Sequence, residues 1–162
     1  MRSVRIPESL VDEMRRHARE TYPDECCGFL VALAEPPSAT GPRSIVSVRR
    51  TANDFEGERR RRFVIRPQEL RAAERSVEST SRLIGGFYHS HPDHPARPSA
   101  FDQEHAWPWY TYLVISVTAT SVPAVGAFEL DPESGEFREV PLEVGRGDDA
   151  EVSESLRAPG GR

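Results

Sequence analysis

The chain has 162 residues, a length that suits one domain and allows about two-thirds of its surface to be buried. Its 21 basic residues, all of them arginine, stand against 26 acidic residues, and the net charge of −5 argues against general nucleic-acid binding. The first residues open no apolar run of signal-peptide or membrane length, so we expect a cytoplasmic protein with no nucleic-acid or membrane partner.

The first part of the chain predicts a short strand, a helix and two further strands. Pro7 occupies the first turn of the helix, which ends before Pro23. His17 falls on the polar side of this helix and is interpreted as a surface residue. Strands are predicted over 29–34 and 45–48, with a proline- and glycine-containing loop between them. The helix is indicated by apolar residues that recur at helical spacing: Leu10, Val11, Met14 and Ala18.

A polar, basic segment follows these strands. Residues 51–62 end in four consecutive arginines, Arg59–Arg62, and predict a mobile loop. The arginine run favours a solvated loop over a phosphate or RNA site, although a basic flap that steers an acidic protein partner is also consistent with it. A strand at 63–65 and a helix over 67–81 are predicted next.

The second half predicts the remaining strands of an α/β fold. The expected fold class is a single-domain mixed β-sheet flanked by helices, formed by residues 1–144. Residues 145–162 are polar, acidic and glycine-rich, and we expect this tail to be disordered. Strands are predicted at 83–88, 110–117, 124–130 and 137–142, the last two as a hairpin, with a short helix at 99–106.

Histidines cluster directly after the strand at 83–88. Residues i and i+2 of a strand point the same way, so His89 and His91 can bind one ion while Ser90 faces elsewhere. A helix capped near Ser99 turns Asp102 back toward them. Two imidazoles and a carboxylate suit zinc, and three protein ligands leave one position open for water, as in catalytic zinc sites. The stretch contains His89, His91, His94 and His105.

Three other interpretations of this stretch are weaker. Ser99 and Asp102 fit a helix capping box, which does not explain the histidines. Residues 89–94 also match the H-x-H-x-D-H string of metallo-β-lactamase-like hydrolases, which need further histidines downstream, and none follows His105. An amidohydrolase barrel needs about 250 residues. His94 is therefore interpreted as a loop residue near the site, and His105 as at best a support for the ligands.

Cys26 and Cys27 are adjacent and cannot form an ordinary disulfide framework. We interpret them as two small buried apolar residues. Cys27 could lie near the metal, but it is not counted as a ligand.

The combined motifs resemble the JAMM (MPN+) metalloprotease family, in particular its short stand-alone prokaryotic members. They are H-S-H-P at 89–92 and Ser99-x-x-Asp102, with seven residues between His91 and Ser99, and an upstream Glu25 in E-C-C-G. The resemblance implies a cytidine-deaminase-like α/β sandwich, one Zn²⁺ per chain, and cleavage of peptide or isopeptide bonds next to ubiquitin-like proteins. It implies these roles: zinc ligands His89, His91 and Asp102; general acid/base Glu25; oxyanion stabilisation by Ser99; structural positions Gly28 and Pro92.

The resemblance also implies a substrate class. For a stand-alone prokaryotic member the substrates are sulfur-carrier proteins of the β-grasp fold, cleaved after a C-terminal Gly-Gly that can lie as an added strand on a sheet edge. The long insertions of eukaryotic deubiquitinases are not evident, so chain-specific deubiquitination is not expected. The alternative is a non-catalytic binding scaffold of the same fold. The complete set of motif residues favours the enzyme.

Overall fold

A computed structural model describes residues 2–36 and 40–146, which form one eight-stranded mixed sheet with three helices. The strand order is β7-β6-β5-β4-β2-β3-β1-β8. The mixed α/β class expected from the sequence is therefore confirmed. The elements are β1 (Val4–Pro7), α1 (Glu8–Thr21), β2 (Cys27–Leu33), β3 (Arg43–Thr51), α2 (Pro67–Val77), β4 (Arg82–Pro92), α3 (Ala100–Glu104), β5 (Thr111–Val117), β6 (Ala124–Leu130), β7 (Phe137–Val140) and β8 (Leu142–Gly145).

The two faces of the sheet are covered by different helices. On one face Met14 and Ala18 of α1 pack in a core cluster with Leu30 of β2. On the other face Ala73 of α2 packs against Phe29 of β2. Leu30 and Phe29 are neighbours on one strand, and successive strand residues point to opposite faces. The helices thus enclose β2, whose residues are all buried.

The interpretation of His17 as a surface residue is wrong. Its side chain is 9% exposed, and its Nδ1 lies 2.7 Å from the hydroxyl of Tyr88 on β4. His17 follows Met14 by three residues and so lies on the apolar face of α1. Burial, reinforced by the positive charge of Arg50, lowers the pKa of His17, which favours the neutral imidazole.

Strand β4 lies at the centre of the sheet and continues through the histidines. It pairs in parallel with β5 and antiparallel with β2, with Cys27 opposite His89. The predicted strand at 83–88 is therefore too short, since β4 reaches Pro92. This extension fixes both imidazoles on the rigid sheet rather than in a loop.

Several other boundaries differ from the prediction. Residues 63–65 form no strand, because the Val64 N–H donates to the Asn53 side chain and the Val64 carbonyl oxygen accepts from the Asp54 N–H. The second helix ends at Val77 rather than at residue 81. Pro141, which has no N–H group for sheet pairing, divides the predicted strand at 137–142 into β7 and the start of β8. The short strand β8 pairs in parallel with β1.

The predicted disordered tail, 145–162, lies outside the described residues except for its first two positions. Within the described part of the chain, no helix is long and apolar enough to cross a membrane.

Candidate metal centre

Three side-chain atoms converge at the end of β4. His89 Nε2, His91 Nε2 and Asp102 Oδ2 lie 3.1 Å from one another in all three pairs. His89 is 1% and His91 8% exposed, so both imidazoles are buried. The structure therefore brings together the three residues that the sequence singles out as ligands.

The spacing of these atoms fits a zinc ion. Ligand atoms about 2.0 Å from a tetrahedral zinc are separated from one another by about 3.3 Å. The observed separations of 3.1 Å are close to that value. Three ligands occupy one face of such a tetrahedron and leave its fourth corner open. The donor set of two imidazoles and one carboxylate is also one that catalytic zinc sites use.

The three converging atoms, His89 Nε2, His91 Nε2 and Asp102 Oδ2, form a ligand triangle. A helix cap fixes the orientation of its carboxylate. Ser99 is the N-cap of α3, where its Oγ accepts a hydrogen bond from the Asp102 N–H at 3.1 Å. In return the Ser99 N–H donates to Asp102 Oδ2 at 2.8 Å. The capping box is thus real and orients the Asp102 carboxylate toward the histidines. Ser99 itself is exposed, and its hydroxyl keeps a proton to donate.

The contact of His91 favours the tautomer that presents Nε2 to a metal, whereas His89 Nδ1 has no hydrogen-bond partner among the described residues. His91 Nδ1 lies 3.0 Å from the carbonyl oxygen of Pro95, which accepts the Nδ1 proton and leaves the Nε2 lone pair free. Burial lowers the pKa of His89, which favours the neutral ring that can bind a metal.

Glu25 reaches this centre from the segment between α1 and β2. Ligand atoms of Glu25, His89 and His91 all lie within 4.8 Å of one another. Glu25 is 1% exposed, and its Oε1 has no hydrogen-bond partner among the described residues. Burial, followed by the negative charge of Asp102, raises the pKa of Glu25 to about 9. The carboxyl group of Glu25 therefore lies buried beside the histidines and holds its proton more tightly than an exposed glutamate does.

Ser90, which the sequence analysis left without a role, attaches the Glu25 segment to β4. Its Oγ accepts a hydrogen bond from the Cys26 N–H at 2.8 Å, and its N–H donates to the Cys26 carbonyl oxygen at 3.1 Å. Gly28 permits the close approach of β2 and β4, since a Cβ at this position would lie 2.2 Å from the Tyr88 ring on β4. The central serine of H-S-H-P thus faces away from the ligands and holds the neighbouring chain in place.

An apolar cavity of about 280 Å³ adjoins the metal centre. His89 and Asp102 form its inner wall, and Trp107, which is 56% exposed, stands at its outer edge. His105 also lines this cavity and stacks on Phe101, so it is not part of the ligand triangle. His94 is exposed and contributes its carbonyl oxygen to Ser116. Aromatic and aliphatic side chains make up most of the remaining wall, including Phe63, Ile65, Leu70 and Phe87.

Both cysteines are buried free thiols, as interpreted from the sequence. The Sγ of Cys27 contacts the carbonyl oxygens of Thr51 and Ala52 rather than the ligand triangle. Burial raises the pKa of Cys26 to about 11 and places that of Cys27 still further above its usual range.

We expect both thiols to resist alkylation in the native protein. A pKa of about 11 gives Cys26 a thiolate fraction about 100-fold smaller than that of an ordinary cysteine. Burial also blocks access of the reagent to the sulfur. Iodoacetamide at pH 8 should leave the native mass unchanged and add two labels after unfolding in guanidinium. Rapid labelling of one cysteine in the folded protein would contradict this expectation.

Comparisons with known proteins extend beyond the site to most of the chain. Residues 7–130 match the family described as prokaryotic homologs of the JAB domain. The chain is 32% identical over 110 residues to a protein named desampylase from Haloferax volcanii, which covers 67% of this chain and 74% of that protein.

Two solution structures are also similar to this chain. A protein from Salinibacter ruber is 31% identical, with a TM-score of 0.66 and coverage of 88% of this chain and 92% of that one. A protein from Desulfitobacterium hafniense is 25% identical, with a TM-score of 0.71 and coverage of 93% of this chain and 98% of that one.

Proposed function

Because the chain belongs to the family of prokaryotic JAB-domain homologs, we propose that it is a zinc-dependent hydrolase of ubiquitin-like carrier conjugates. The bond cleaved is the peptide or isopeptide bond after the carrier's C-terminal Gly-Gly. The observation that carries this proposal is the triangle of His89, His91 and Asp102 beside the buried carboxyl group of Glu25. Similarity to a protein named desampylase supports a hydrolase that acts on a ubiquitin-like modifier.

The three converging residues would hold the zinc ion through His89 Nε2, His91 Nε2 and Asp102 Oδ2. A bound zinc ion supplies a Lewis acid that lowers the pKa of water and polarises a carbonyl group. The capping box of α3 and the Pro95 carbonyl keep Asp102 and His91 in orientation before any ion binds. This preorganisation supports a permanent site rather than adventitious binding.

Glu25 would carry the proton during hydrolysis. Its unpartnered Oε1 can accept a proton from the attacking water and later deliver it to the leaving amine. A carboxyl group with a pKa near 9 holds its proton too tightly to act as a base at pH 7. A cation held by the neighbouring histidines would lower that pKa and so favour the carboxylate form that accepts a proton.

Ser99 and the apolar cavity would bind the substrate. The Ser99 hydroxyl donates to the oxygen that becomes negative as the carbonyl is attacked, a contribution of roughly 3 to 4 kcal/mol for a well-placed donor. The cavity beside His89 offers a site for an apolar side chain of the carrier tail. Glycines at the cleavage point lack side chains and can approach the buried triangle closely.

The arginine run lies close enough to steer a carrier. The Glu25 N–H donates to the Arg59 carbonyl oxygen at 2.7 Å, which places the segment beside the centre, while the side chains of Arg60 and Arg61 are exposed. Exposed like charges at the entrance of a site accelerate the encounter with an oppositely charged partner.

We expect the double variant Arg60→Glu/Arg61→Glu to raise KM for an acidic carrier fusion by about tenfold at low salt. Its salt dependence should also be flatter, because the screened attraction has been removed. The matched control is Arg71→Glu/Arg75→Glu, which changes the net charge equally on exposed positions of α2. An unchanged KM, or an equal change in the control, would remove the steering role.

The proposed function is tested with fusions of β-grasp carriers whose Gly-Gly terminus is linked to a reporter peptide or to cysteine. Intact mass after incubation with the zinc-reconstituted protein should show cleavage directly after the second glycine. Fusions with Gly-Gly replaced by Ala-Ala serve as the control. Stoichiometric binding of carriers without any cleavage would support the scaffold alternative instead.

A further inference from the structure

Asn53, the only asparagine of the chain, lies directly beyond the end of β3 and contacts Glu25. Its Nδ2 donates to the carbonyl oxygen of Glu25 at 3.1 Å and to that of Arg62 at 2.9 Å. Its Oδ1 accepts from the N–H of Phe55 at 3.1 Å and from that of Val64 at 3.2 Å. One carboxamide therefore uses both of its donors and both of its acceptor positions.

These bonds close the basic segment into a loop that holds the backbone of Glu25. The Asp54 N–H donates to the Val64 carbonyl oxygen at 3.0 Å, next to the carboxamide. The Glu25 carbonyl oxygen is held by Asn53, and the Glu25 N–H is held by the Arg59 carbonyl oxygen at 2.7 Å. Both main-chain polar groups of Glu25 are thus bonded to the same loop.

The direction of the Glu25 carboxyl group depends on this backbone attachment. Its Oε1 has no hydrogen-bond partner among the described residues, so no side-chain bond to that oxygen aims it at the histidines. The carboxamide also bonds on both sides of Phe63, to Arg62 and to Val64. The Phe63 ring stacks on His89 with centroids 4.5 Å apart and an angle of 25° between the rings. One side chain therefore fixes both Glu25 and the ring that covers His89.

We propose that Asn53 is a positioning residue for hydrolysis, acting through the backbone of Glu25. This inference rests on the proposed function for its kinetic readout. An amide is required because the position needs two donors and two acceptors at once. Aspartate would keep the acceptors for Phe55 and Val64 but would lose both donors and set a negative charge against two carbonyl oxygens.

The variant Asn53→Asp therefore keeps the two hydrogen bonds that the side chain accepts within the loop and removes the two that it donates, one of them to Glu25. We expect kcat on a cleaved carrier fusion to fall about 10- to 100-fold, because a displacement of about 1 Å at a catalytic group costs that much. KM should stay within about twofold, and the zinc content should stay at about one equivalent, since Asn53 contacts none of the three ligands. The matched control Asp54→Asn removes the ion pair of the adjacent residue with Arg66 and should leave kcat unchanged within about twofold.

A second measurement needs no substrate. Amide hydrogen exchange of the zinc-reconstituted protein, followed by NMR, should be at least about tenfold faster at Glu25 in Asn53→Asp and unchanged in Asp54→Asn. Unchanged exchange at Glu25 overturns the proposal, whatever the activity. Faster exchange with an unchanged kcat overturns it as well, and so does a change in KM alone. If the parent protein cleaves no carrier fusion, the proposed function fails, and the exchange at Glu25 still decides whether Asn53 positions it.

Discussion

Glu25→Gln is expected to lower kcat by about 10²- to 10⁴-fold and to leave about one equivalent of zinc bound. The physical reason is that glutamine has nearly the same shape but cannot accept or deliver the proton. The ligand triangle of His89, His91 and Asp102 does not include Glu25 and stays intact. The measurement is single-turnover cleavage of a Gly-Gly fusion beside elemental analysis of the same sample.

The control for this variant is Glu20→Gln, which neutralises an exposed carboxylate on α1 that pairs with Arg50. Its kcat should remain within about twofold of the parent value. Turnover within tenfold of the parent by a folded, zinc-loaded Glu25→Gln protein would exclude Glu25 as the general acid/base.

The same variant should change the pH dependence of stability of the metal-free protein. The pKa of Glu25 is raised to about 9 in the folded state, so above about pH 4.5 the folded protein keeps a proton that the unfolded chain has lost. The free energy of unfolding therefore falls as pH rises through this window toward 9, and glutamine removes that contribution. Glu25→Gln should gain stability relative to the parent between pH 5 and pH 8. A constant difference across this range, measured by urea unfolding, would contradict the assignment.

His91→Ala is expected to reduce bound zinc from about one equivalent to less than about a tenth and to abolish hydrolysis. Two remaining ligands cannot complete the face of a tetrahedral site, and the contact of His91 Nδ1 with Pro95 is lost as well. Zinc content after reconstitution and gel filtration gives the result without any substrate.

The control is His94→Ala, which removes an exposed imidazole three residues further along the chain. This variant should keep its zinc. Equal losses in the two variants would mean that the triangle does not define the site. A parent protein that takes up no zinc at neutral pH would leave the binding-scaffold interpretation as the better one.

The central strand and the convergence of its candidate ligands could be predicted because their signals are local. Alternation of side chains along a strand places His89 and His91 on one face, which is the condition for the observed contact between their Nε2 atoms. The capping box at Ser99 is likewise readable from four consecutive residues and brings Asp102 to the same point. The apolar spacing of α1 predicted its burial.

Other features could not be read from local patterns. Residues 63–65 have strand-like composition but lie in a loop, because the main-chain groups of Val64 bond to Asn53 and Asp54 instead of to a strand. His17 looked polar in sequence, although its spacing from Met14 was a usable signal that it faces the core. The separate strand β8 follows from pairing with β1 at the opposite end of the chain.

The sequence by itself determined the mixed α/β class, the strand that carries the histidines and the chemistry of the three candidate ligands, since each depends on residues close together in the chain. The role of Glu25 was implied by the family resemblance, and the tertiary structure showed that Glu25 lies beside them. Only the tertiary structure decided that Ser90 holds the neighbouring segment and that Asn53 ties Glu25 to the basic loop. These contacts join segments distant in sequence. They form only when burial of the two apolar faces of the sheet brings β2, β4 and the loop after β3 together.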